Sequence, residues 1–346
     1  MRQVKIAAIV LLFCLVPHAW AELPKFQPFW DFRQWGGVAK QTPIYQAYMK
    51  KFAEHGVTAV ILINKNSLPP FARERKFLAD ASRYGIKVWI RTNRVTPKRG
   101  IPHRPNSTLD FALDKSIQQE SLEYLLALAA LSKDYPNLTG LVIGGEELVG
   151  AKVNKAVLAR YDEVSRQNIG FAISGPLNNK QKIIYFDWLE ELQNRWYARI
   201  WDTIKAKYPQ LKLFIYPSSA AVCGDRYSRF PRPAYWDIYD LIVTRKKPFG
   251  VIIGFYSIQD PLENDITAAM GKYLKAATEN KVPYYLLLQV HRASGQSHTP
   301  TPPELEAQVK AAIDGGARGV GYWPHDIDTK KDIYGKAILS GPSSER

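Results

Sequence analysis

Short β-branched runs alternate with longer helical patterns along this chain, and that order constrains its fold more than any other feature. Strands are expected at Phe29 to Phe32, Thr58 to Ile63, Ile86 to Arg91, Leu141 to Ile143, Leu211 to Tyr216, Val251 to Tyr256, Tyr284 to Val290 and Gly319 to Trp323. Gly56, Gly85, Gly140, Gly250 and the Gly315-Gly316 pair precede five of them, where a residue that ends the preceding helix is needed. Helical patterns fill the gaps at Tyr45 to His55, Phe71 to Tyr84, Ile117 to Leu131, Ala234 to Val243, Ile266 to Asn280 and Pro303 to Asp314. Asn154 to Ser165 and Ile183 to Lys207 together make an oversized fourth crossover. Strands separated by helices of this length pair in parallel, because a parallel pair needs a crossover connection. Eight such units point to a single-domain α/β fold, the (β/α)8 TIM barrel. A doubly wound open sheet is the competitor, but no Gly-x-Gly-x-x-Gly turn follows an early strand.

The N-terminus reads as an export leader. Arg2 and Lys5 supply positive charge, Ile6 to Val16 is apolar but too short to span a bilayer, Pro17 breaks the run, and Ala19-Trp20-Ala21 is a small-x-small cleavage site. Cys14 raises a lipoprotein reading, but Phe13 stands where a small residue belongs. The expected organisation is a signal peptide at 1–21, a barrel over 22–340 and a flexible tail at 341–346, in a secreted or periplasmic bacterial protein. No later segment has the roughly 20 apolar residues of a membrane helix, so stable membrane insertion is not expected. With Cys14 lost, Cys223 stands alone, which excludes an intrachain disulfide and a Cys-rich metal site. The formal charge of +15 draws the chain toward anionic polymers or surfaces, and solubility alone accounts for it equally well.

Barrel active sites lie at the C-terminal ends of the strands. There the chain presents Asp31 and Trp35 after strand one, Asn64 after two, Arg91 and Asn93 after three, and Glu146 and Glu147 after four. Tyr256 follows strand six, Gln289 and His291 strand seven, and Trp323 and Asp326 strand eight. The run Leu141-Val142-Ile143-Gly144-Gly145-Glu146-Glu147 is the sharpest signal, because it leads a buried strand directly into two carboxylates. A carboxyl at the edge of an apolar barrel can hold its proton to higher pH, as a general acid must. The structural alternative is that one Glu caps the next helix or pairs with Arg91. Arg91 itself fits two roles, orienting those carboxylates or holding an acidic group of a substrate.

In these positions the chain resembles the secreted (β/α)8 glycoside hydrolases. That resemblance implies a general acid/base Glu at the end of strand four, here Glu146 or Glu147, and an aromatic sugar platform at the end of strand eight, here Trp323. It implies a poly- or oligosaccharide substrate, neutral or anionic, and no cofactor. Two departures stand out. Gly145 or Glu146 occupies the position where the large retaining clan carries Asn, and strand seven runs into Gln289-Val290-His291 with no Glu nucleophile. Chitinase-like barrels offer a second likeness through Glu146, Tyr256 and Trp323, although Val142 and Gly144 stand where supporting Asp residues belong.

The expected site is therefore Glu146 and Glu147 as catalytic groups. Asp31, Trp35, Asn64, Arg91, Asn93, Tyr256, Gln289, His291, Trp323 and Asp326 would line the substrate cleft, and no metal is expected. A second carboxylate could come from Asp31, Glu147, Asp260 or Asp326. A metal-dependent hydrolase would need His291, His325, Asp326 and Glu146 to converge, without any His-x-His or His-Glu-x-x-His spacing. A non-catalytic carbohydrate-binding barrel would keep the tryptophans and not need the glutamates. Lys and Arg are scattered, apart from Arg245-Lys246-Lys247, and no nucleic-acid recognition motif is present.

Overall fold

The architecture comes from a computed structural model. The description covers residues 29–32, 49–50, 52–54, 57–64, 67–92, 108–143, 155–216, 247–255, 284–289, 307, 310 and 318–323. The eight strands are β1 (Phe29–Phe32), β2 (Ala59–Asn64), β3 (Lys87–Thr92), β4 (Leu138–Ile143), β5 (Lys212–Ile215), β6 (Gly250–Phe255), β7 (Tyr284–Gln289) and β8 (Gly319–Trp323). They pair in parallel in chain order, and β8 closes on β1. The expected TIM barrel is therefore the fold.

The described helices are α1 (Ala72–Ser82), α2 (Thr108–Leu113), α3 (Lys115–Asp134), α4 (Lys155–Ala159), α5 (Asp162–Ile169) and α6 (Asn179–Lys207). Local signals explain where the long ones start. Asp114 Oδ1 accepts from the Ser116 and Ile117 amides to cap α3. Asn178 and Gln181 form a reciprocal capping box, which starts α6 at Asn179, ahead of the expected Ile183. The single helix expected over 154–165 is instead two, α4 and α5, interrupted at Arg160 and Tyr161. The helices expected at Ala234 to Val243 and Ile266 to Asn280 lie outside the described residues, as do the leader and the tail.

Strand parity sorts the apolar residues into two cores. Val60, Leu62, Val88, Ile90, Leu141, Ile143, Leu213 and Ile215 face the helices and join one large cluster with Phe77, Leu125 and Ile204. Ala59, Ile61, Trp89, Val142, Phe214, Tyr216, Ile252, Tyr285 and Leu287 form a separate cluster that fills the barrel. Burial on both faces is why these strands read as continuous apolar runs rather than as alternating ones.

Inside the barrel, aromatic rings take much of the space that branched aliphatic layers usually fill. Trp89 and Phe214 lie 4.4 Å apart between centroids, and Tyr285 meets both edge-on at 5.2 and 5.3 Å. Two glycines make room for them. A Cβ on Gly140 would lie 2.8 Å from Phe214 Cε2 and 3.0 Å from Trp89 Cδ1. A Cβ on Gly250 would lie 2.7 Å from Phe214 Cε1. This explains why β4 begins at Leu138 rather than after Gly140. That glycine does not break the strand; it yields volume to two rings within it.

Candidate active site at the strand C-termini

The mouth of the barrel is built from strand ends. Arg91 is the penultimate residue of β3, two positions beyond the interior residue Trp89, and so shares its inward phase. It is 4 % exposed, and its Cζ lies 3.7 Å from the ring centroid of Tyr216, the buried residue that follows β5. β4 runs between β3 and β5, and Arg91 is in register with Val142. The guanidinium–ring stack therefore crosses the end of the strand that leads into Gly144-Gly145-Glu146-Glu147. A desolvated stack of this kind contributes about 2 kcal/mol. It also holds a full positive charge beside the C-terminal end of β4. Thr92 Oγ1 adds a tie to β4 by donating to the Val142 carbonyl at 3.4 Å.

Asn64 ends β2 one position out of phase with the interior residue Ile61, and its side chain is used locally. Its Oδ1 accepts from the Ser67 amide at 2.9 Å, folding back the β2–α1 turn. The Ser67 carbonyl in turn accepts from the Tyr124 hydroxyl at 3.1 Å. Burial, reinforced by the charge of Glu74, raises the Tyr124 pKa far above the ordinary phenol value and keeps that hydroxyl a donor. Asn64 thus shapes the rim of the mouth.

Asp31 lies in β1 in register with Ile61, and Gln289 in β7 is in register with Trp323, the last residue of β8. The backbone places these three at the same end of the barrel as Arg91. Glu146, Glu147, Trp35, Asn93, Tyr256, His291 and Asp326 lie outside the described residues. Their strands reach the mouth directly before them: β3 ends at Thr92, β4 at Ile143 and β6 at Phe255.

A lock joins the segment between β3 and α3 to the segment between β4 and α6. Asp110 on α2, 1 % exposed, accepts from the Tyr161 hydroxyl at 2.5 Å and from Arg160 Nη2 at 3.0 Å. Burial, and then the bond to Asp110, push the Tyr161 pKa well above the phenol range. The partners are some fifty residues apart in sequence, so no local pattern could reveal them. The two residues of the lock, Arg160 and Tyr161, are the ones at which the fourth crossover breaks between α4 and α5. Just beyond it, Asp162 accepts from the Ile173 and Ser174 amides and from Ser174 Oγ, folding the α5–α6 link back. The Ser174 hydroxyl bond, aided by the two amides against partial burial, holds the Asp162 carboxyl below its ordinary pKa. Among the described residues, no group of three His, Cys, Asp or Glu side chains is placed to hold a metal ion.

No protein-family model matches the chain, and no curated protein matches it in sequence. Solved structures do resemble it. The endo-1,4-β-D-mannanase of Thermotoga petrophila RKU-1 superposes with a TM-score of 0.57 at 11% identity, covering 86% of this chain and 87% of that one. A glycoside hydrolase family 5 enzyme from Prevotella bryantii B14 gives 0.57 at 13% identity, over 94% and 97% of the two chains. A β-galactosidase from the haloarchaeon Halorubrum lacusprofundi gives 0.61 at 13% identity, over 90% of this chain and 56% of that one. At these identities the likeness establishes a shared fold.

Proposed function

We propose that this protein is an exported glycoside hydrolase that cleaves bonds within a poly- or oligosaccharide, with Glu146 or Glu147 as the general acid/base. The observation that carries the reading is the closed barrel in which β4 ends at Ile143, three residues before Glu146, beside the buried Arg91–Tyr216 stack. That barrel is also the fold of several glycoside hydrolases. Arg91 supports a division of labour between the two carboxyls. A fixed cation favours the ionised form of a nearby carboxylate, and a carboxyl held farther from it in an apolar setting keeps its proton. One group would then protonate the leaving oxygen while the other carries charge. Trp323 at the end of β8 supplies a flat face for a sugar ring, and Gln289, in register with it, an amide for its hydroxyls.

The test is hydrolysis of a panel of neutral, N-acetylated and acidic polysaccharides by the protein and by Glu146→Gln and Glu147→Gln. New reducing ends that one substitution abolishes, with the unfolding midpoint unchanged, identify the acid. Binding without hydrolysis, indifferent to both substitutions, would refute the enzyme and leave a carbohydrate-binding barrel.

A further inference from the structure

Among the described residues, the end of the barrel opposite the mouth carries a set of cations that no described acid balances. Lys87 and Lys212 are the first residues of β3 and β5, and Arg318 immediately precedes β8. Lys133 and Lys207 stand in the last turns of α3 and α6, which descend to the same end. All five are exposed, and none forms an ion pair with a carboxylate among the described residues. The described acids of this end are already engaged. Asp80 is held by Lys76 and Arg83, Asp134 by Arg75, Asp202 by Lys247, and Glu54 by Lys50. The helix dipole accounts for Lys133 and Lys207, since cations are favoured at helix C-termini. It does not account for Lys87, Lys212 and Arg318, which begin strands.

The shape of this end narrows the choice of partner. Trp89, Phe214 and Tyr285 pack against one another and fill the lower barrel between β3, β5 and β7. Among the described residues the cations stand on strand starts and helix ends, spread over β3, β5, β8, α3 and α6 rather than aligned along one element as a track for a single polymer would be. We infer that this face docks the protein onto an anionic lipid surface, with the mouth of the barrel turned away from it. Attachment would be peripheral: among the described residues no helix is long and apolar enough to cross a membrane. Each Lys or Arg brought to such a surface strengthens partitioning by about fivefold, and the attraction fades within a Debye length, about 8 Å at physiological salt.

The experiment is co-sedimentation of the full chain with phosphatidylglycerol vesicles and with phosphatidylcholine vesicles. The neutral vesicles read any insertion by the apolar leader, which is identical in every variant. The triple variant Lys87→Glu, Lys212→Glu, Arg318→Glu is compared with Lys155→Glu, Lys180→Glu, Lys182→Glu, which changes net charge equally at the start of α4 and α6. The milder pair Lys133→Gln, Lys207→Gln keeps the test informative if the first triple fails to fold. Expected are salt-sensitive binding to the anionic vesicles alone, a loss of more than about 100-fold in the first triple, about 25-fold in the pair, and a much smaller loss in the second triple. Equal losses in the two triples would reduce the effect to diffuse net charge and overturn the proposal. So would absent vesicle binding, including the case where a soluble anionic polymer binds through these same residues.

Discussion

Gly250→Ala tests the packing of the barrel interior. A Cβ there would lie 2.7 Å from Phe214 Cε1 and closer still to Cδ1, against the 3.4 Å or more of an ordinary contact, so the ring would have to move by roughly 1 Å. It has little room to do so. Trp89 lies 4.4 Å away between centroids, Tyr285 lies 5.3 Å away, and the backbone of Gly140 closes another side. Overpacking of this kind costs about 1–3 kcal/mol, and the confinement on several sides places it at the upper end. Alanine lowers the entropy of the unfolded chain relative to glycine, which returns about 0.4–1 kcal/mol. The expected net loss is about 2 kcal/mol. Urea unfolding followed by tryptophan fluorescence should show a lower midpoint at an unchanged slope. In a Phe214→Leu background the same substitution should cost less than about 1 kcal/mol, because the smaller side chain removes the clash, and the coupling isolates that contact. A Gly250→Ala protein as stable as its parent, or a cost that persists without the ring, would refute the account.

Three further outcomes concern Arg91, Asp110 and Asp162. Arg91→Lys keeps the charge but loses the flat guanidinium, and should lower stability by about 1–2 kcal/mol; an unchanged midpoint would show that the Tyr216 stack contributes nothing. Asp110→Asn weakens the acceptor shared by Arg160 and Tyr161 and should cost about 2 kcal/mol, with faster hydrogen exchange across 155–169; unaltered exchange there would mean that the two segments are held by other contacts. For Asp162 the folded pKa lies below the unfolded one, so its stabilisation is present above about pH 4 and is lost as pH falls through the folded value. The stability gap between the parent and Asp162→Asn should therefore be constant from pH 5 to 7 and shrink below about pH 4, a profile that unfolding midpoints measured across pH would check.

The eight strands could be placed because each is a short, mostly apolar run bounded by a helix-ending residue such as Gly85 or by a polar turn. Arg91 could be nominated because it ends such a run. Its partner could not, because Tyr216 lies 125 positions away and only the closure that sets β3, β4 and β5 side by side brings the two together. Asn64 shows the opposite case. Standing at a strand end made it a candidate lining residue, but strand phase turns its side chain into the turn at Ser67. Asp110, Arg160 and Tyr161 carried no signal at all: an acid in a short helix and a basic–aromatic pair inside a helical pattern are commonplace until two loops meet. Gly140 read as a helix stop before a strand, and its place inside β4 follows from the volumes of Phe214 and Trp89.

What the sequence determined by itself was the order and type of the elements, because hydrophobic period and chain-breaking residues act over a few positions. Tertiary structure alone decided which side of each strand faces the barrel, which rings share its interior and which charges meet at its two ends. Those outcomes depend on the register and closure of eight strands, a property of the whole sheet that no local stretch of chain encodes.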